Sequence, residues 1–110
     1  MARFLQQITY TTEAWQALIK NPQNRIDAVR PVYEKLGGKI ESAWFAFGEY
    51  DIVVIADLPD NVSAAAIAIA FAGGGTCRNV KTTPLLSPAE ALEAMKKAAG
   101  SGYRALKASA

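Results

Sequence analysis

The feature that most constrains this chain is a pair of apolar runs, "KIESAWFAF" and "YDIVVIAD", separated only by Gly48 and Glu49. Two strand-like segments with no room for a helix between them fold back on each other as an antiparallel hairpin. Neither run alternates cleanly. Ile40, Ser42, Trp44 and Ala46 share one face of the first, Ala43, Phe45 and Phe47 share the other, and residues 52 to 56 are apolar throughout. A hairpin of this composition expects cover on both of its faces.

The flanking segments supply the rest of a layered domain. "RFLQQITY", residues 3 to 10, places Phe4, Ile8 and Tyr10 on one side of a first strand. Thr11 and Thr12 offer caps to a helix carrying Trp15, Leu18 and Ile19, which stops at Asn21-Pro22 because the residue before proline avoids helical angles. Asn21 is expected to cap a second run with Pro22 at its first position. Its stripe is Ile26, Val29, Tyr33 and Leu36, with a bend at Pro31 and an end at Gly37-Gly38. "LPDN" caps a helix over 61–72, "GGG" closes it, and "CRNVKTTPLL" reads as a fourth strand with Pro84 at an edge or exit. Ser87-Pro88 opens a last helix with acids early and lysines late, and residues 100–110 read as a loose tail after a single domain over 1–99.

Strand, helix, strand, strand, helix, strand and a terminal helix form the βαββαβ order of a ferredoxin-like α+β domain, with an antiparallel four-stranded sheet and helices on one face. The doubly apolar hairpin then lacks a cover, and no further element of the chain supplies one. The same face of a second copy is the economical answer, giving a dimeric α+β barrel in which Trp44 or Phe45 is buried between two sheets. The helix over 61–72 is apolar nearly all round, so a larger homo-oligomer through its outer side is a further expectation.

Composition excludes several functions. The chain has no histidine and one cysteine, Cys77, so neither haem nor tightly held zinc is expected, and the cofactor expectation is none. Cys77 has no imidazole to activate it and no partner for an internal disulfide, which suits a reducing cytoplasm. A net charge of +2 gives no footprint for nucleic acid, and "VSAAAIAIAFA" is far too short to span a membrane. "GGG" follows a helix and precedes a strand, the reverse of a phosphate loop.

"GEYDIVVIADLPDN", with "NRIDAVRPVYEKLGGKI" before it and "NVKTTPLLSPAEA" after it, resembles the signature region of the GYD-domain family. The family takes its name from a Gly, a Tyr and an Asp at this turn, here Gly48, Tyr50 and Asp51. The resemblance covers roughly residues 3 to 92 and implies the dimeric ferredoxin-like barrel already reached from the missing cover. It names no activity.

Four residues stand out as candidates for ligand binding: Arg25, Tyr50, Asp51 and Lys81. An Asp at the start of an apolar strand wants donors, and Tyr50 and Asp51 point to opposite faces, so one is expected to face a ligand and the other to be structural. Arg25 lies near a helix amino end, against the dipole's preference, which calls for an acidic neighbour or an anionic ligand. Lys81 sits beside Thr82 and Thr83 on the fourth strand. Three functions follow. The first is a homodimer that binds a small molecule. The second is a cofactor-free enzyme using Tyr50 or Asp51 for proton transfer and Arg25 for anion stabilisation. The third is a structural assembly protein.

Overall fold

The structure, a computed structural model, describes residues 1–107. Its elements run β1 (Ala2–Tyr10), α1 (Thr12–Lys20), α2 (Arg25–Lys35), β2 (Lys39–Phe45), β3 (Ile52–Leu58), α3 (Asn61–Gly73), β4 (Cys77–Leu85) and α4 (Pro88–Ala99). The four strands form one sheet in the order β2-β3-β1-β4, every neighbour antiparallel. This is the ferredoxin-like α+β arrangement, with Pro84 on an edge strand where its missing N–H costs no central rung. The tail expected over 100–110 carries no helix or strand through residue 107, and its last three residues lie outside those described.

Caps set the helix boundaries. Ala14 N donates to the Thr11 hydroxyl at 3.1 Å and Ser63 N to the Asp60 carboxylate at 2.8 Å, while Ser87 and Glu90 satisfy each other's backbone donors in a capping box. One boundary differs from expectation. Asn24, not Asn21, caps α2, its side-chain oxygen accepting from Ile26 N at 3.0 Å and Asp27 N at 3.4 Å. One oxygen that meets two orphan donors outweighs the favourable placement of Pro22, so Arg25 becomes the first residue of the helix. The helix continues through Pro31 and ends at Gly37-Gly38.

Phe4, Ile8, Ile52, Val54, Ala56 and Leu58 point from the sheet into the core, where Ile26 and Tyr33 of α2 and Ala64 and Ile67 of α3 meet them. All of the sheet's core residues share one parity, so α2 and α3 cover one face. On the opposite, open face lie Leu5, Val53, Ile55, Trp44 and Leu85. Arg3 ties one end of it, donating to Asp57 at 2.9 Å through Nε and at 3.3 Å through Nη2, with Glu41 and Lys39 alongside. The hydrogen bond from Arg3 holds the Asp57 carboxyl below the usual carboxylate range.

Strand β2 corrects a detail of the sequence reading. Ile40 pairs with Ala56 but Ser42 pairs with Ile55, so Glu41 is an extra residue in a bulge. The bulge turns Ile40 into the core and leaves Ser42 and Trp44 on the open face, so Ile40 and Trp44 do not share a side. The β2–β3 link is also longer than a tight hairpin. It runs from Ala46 to Asp51, and β3 begins at Ile52 rather than Tyr50.

The last helix stands apart. Pro88, Ala91, Leu92, Met95 and Ala99 fall on one side of α4, yet the helix buries none of its residues. The radius of gyration, 18.0 Å, exceeds the ~13 Å of a compact domain of about 100 residues. Among the described residues no helix is long and apolar enough to cross a membrane.

Candidate functional site

Between the sheet and helices α2 and α3 lies a cavity of about 450 Å³. Short side chains open it: Ala28 of α2 and Ala70 of α3 line a space that longer residues would fill. Its walls are mainly apolar, with Ile8, Ile52 and Val54 below and Ile26, Val29 and Phe71 at the sides. Tyr33 and Phe71 meet edge-on with ring centres 6.3 Å apart, joining the two helices at one wall.

The polar end is formed by Tyr10, Arg25, Thr76 and Cys77. Thr11 N donates to Thr76 O at 3.0 Å, which brings the start of β4 beside the end of β1. The Tyr10 ring is braced edge-on by Trp15 at 5.4 Å. A smaller cleft of about 190 Å³ under α1 shares Tyr10, Arg25 and Thr76 with the cavity, so these three residues divide the two spaces. Burial pushes the Tyr10 phenol up, with Cys77 and Asp51 adding to the effect and the Arg25 guanidinium opposing it. Burial likewise raises the Cys77 thiol. Both groups therefore hold their protons near neutrality, and the thiol is not an activated nucleophile.

Under the cavity runs a polar network that sequence reasoning missed. Tyr33 donates its hydroxyl to Gln6 Oε1, and Gln6 Nε2 donates to the Thr82 hydroxyl at 3.4 Å. Gln6 is completely buried. Its chemistry suggests a solvent-facing residue, but its position between Phe4 and Ile8, on their parity, was the available signal. Satisfied on both sides, it costs little to bury.

The four candidate residues occupy different places. Arg25 lines the cavity, whereas Tyr50 and Asp51 do not, and Lys81 is exposed opposite Gln7 on the open face. The signature turn is instead laced to the end of β1. Asp51 N donates to Ile8 O at 2.8 Å, Tyr10 N donates to Asp51 Oδ2 at 2.9 Å, and the Thr9 hydroxyl donates to Glu49 O at 2.9 Å. The regular β1–β3 pairing stops at Ile8 and Ile52, and β1–β4 shifts register between Thr9 and Tyr10. Asp51 thus supplies, from its side chain, the acceptor that Tyr10 N would otherwise seek from a further rung. Gly48 allows the turn, since its φ of 151° is unfavourable for any residue with a side chain. The acid at this turn fixes the backbone of a residue that lines the cavity.

Replacing Asp51 with Asn keeps an acceptor for Tyr10 N and loses the charge on it, so Asp51→Asn should cost about 1 kcal/mol of stability. Asp51→Ala leaves the donor unmet and should cost about 2 kcal/mol. Urea titration of both variants checks the order. Equal stabilities for Asp51→Ala and the parent would show that the carboxylate does not hold the strand end.

Among the described residues no cluster of three or more His, Cys, Asp or Glu side chains is placed to share a metal ion. The arrangement can enclose an apolar body and offer it donors at one end.

A ferredoxin-like sheet carrying this laced Gly-Tyr-Asp turn defines a class of small α+β domains. The model of the GYD domain matches residues 4–95, and the chain belongs to that family. No curated protein and no solved structure matched it.

Proposed function

We propose that this GYD-domain protein binds a small organic molecule in the cavity between the sheet and helices α2 and α3, and does so as a homodimer. The cavity carries the reading. At about 450 Å³ it falls in the range of small-molecule sites, about 300 to 1,000 Å³, and it combines apolar walls with a few convergent donors. Binding is favoured over catalysis by the chemistry of the lining, which includes no carboxylate or imidazole and whose phenols and thiol are pushed toward their protonated forms. The Tyr50 and Asp51 alternative would need its chemistry at the turn, where the Asp51 carboxylate is already occupied by Tyr10 N.

The dimer rests on the open sheet face, with Trp44 67% exposed beside Val53 and Ile55, and on the uncovered stripe of α4. A cytoplasmic setting belongs to the same reading, since Cys77 would stay reduced there.

A thermal-shift screen of small organic molecules against the parent and an Ala70→Trp variant tests the site. Ligands should raise the parent's melting temperature and lose that effect when the indole fills the cavity. Ligands that stabilise both proteins equally would place binding elsewhere and defeat the proposal.

A further inference from the structure

We infer that the ligand is an organic monoanion, its apolar body in the cavity and its charged group at Arg25 and Tyr10. This rests on the small-molecule reading above and concerns the same space. The starting observation is an imbalance of charge. Arg3 pairs with Asp57 and Arg30 with Asp27, but among the described residues Arg25 has no carboxylate within ion-pair distance. Its side-chain hydrogen bond goes to Gln23 Oε1, at 3.4 Å. Yet Arg25 is half-buried and faces both the cavity and the adjoining cleft.

Its position compounds the imbalance. Arg25 is the first residue of the eleven-residue helix α2, where the dipole disfavours a cation and favours an anion. The nearby acids are committed: Asp27 accepts from Asn24 and pairs with Arg30, while Asp51 accepts from Tyr10 N. An incoming anion would therefore meet the guanidinium and the Tyr10 hydroxyl as donors without competing against a protein carboxylate. The helix's own Ile26 and Asp27 N–H groups already bond to Asn24, so the side chains carry the recognition. A single cation at a mainly apolar space suits a single negative charge, because a second would be desolvated without a partner.

Two fluorescent probes with one common body test this: anilinonaphthalenesulfonate, which is anionic, and neutral phenylnaphthylamine. Each is titrated into the parent, Arg25→Gln, Arg25→Lys and Ala70→Trp, with melting temperatures confirming that every variant folds. Arg25→Gln should weaken the anion about tenfold, the scale of one lost charge-assisted hydrogen bond, and leave the neutral probe unchanged. Arg25→Lys should restore part of the anion's affinity, since it returns the charge without the planar fork. If Ala70→Trp abolishes both probes but Arg25→Gln moves neither, or moves both alike, the cavity binds small molecules and the monoanion inference is overturned. If the parent shows no Ala70→Trp-sensitive binding of either probe, the cavity reading itself fails and the inference falls with it.

Discussion

Gly38→Ala should unfold more of this protein than any other single methyl group added to it. A Cβ at Gly38 would lie 2.2 Å from the Asp57 carbonyl oxygen and 2.7 Å from Leu58 Cδ2. The oxygen belongs to β3 backbone where β2 begins its pairing, at Lys39 opposite Asp57, so it cannot retreat without opening the ladder. The loss should be about 3 kcal/mol or more, at the upper end of overpacking. The melting temperature should then fall by roughly 12 °C or more. Gly73→Ala is the matched control. Gly73 lies in α3, has open space where the new methyl group would stand, and should be neutral or slightly stabilising. Similar melting temperatures for the two variants would show that the start of β2 does not pack this tightly on β3.

Trp44→Glu should turn a dimer into a folded monomer. In a single chain Trp44 is largely exposed, opposite Val53 on the open face, so the core does not depend on it. Facing a symmetric copy, the same position would bring two carboxylates into a desolvated contact, because a twofold interface repeats every change. A central aromatic anchor replaced by a charge should weaken association by about a hundredfold or more. Light scattering at micromolar concentration should give the mass of two chains for the parent and of one for the variant, with unchanged far-ultraviolet dichroism. A parent that scatters as a single chain would end the dimer proposal.

The sequence made the order of elements readable because nearly every helix announces itself with a cap: Thr11, Asp60 and Ser87 all act as expected. Asn21 and Asn24 could not be ranked without knowing which oxygen reaches two backbone donors. The faces of β2 were misread because a two-residue period cannot reveal an inserted residue. Glu41 looks like any exposed strand acid until Arg3 and Lys39 are seen beside it. At the site, Arg25 was legible as a cation placed against a helix dipole. Asp51 was legible as an acid in need of donors, but not that its donor would be Tyr10 N, forty-one residues earlier in the chain. The cavity was not legible at all, since it depends on short residues of two separate helices, Ala28 and Ala70, lining one space.

The bulge at Glu41 makes the two ends of β2 a matter of odd and even. With the extra residue, Ile40 falls inward beside Ala56 and Trp44 outward beside Val53, although four positions separate them. Delete one residue between Ile40 and Trp44 and the bulge can close, which leaves Ile40 beside Ala56 and Trp44 beside Val53 on their present sides. Delete two, and no bulge remains to absorb the loss, so the indole would be driven toward the helix layer and Phe45 would take its place outside. Between residues 40 and 44 the loss of one residue is therefore tolerable and the loss of two is not. A deletion library across β2 would read this arithmetic directly, with single deletions between Ile40 and Trp44 surviving where paired ones fail.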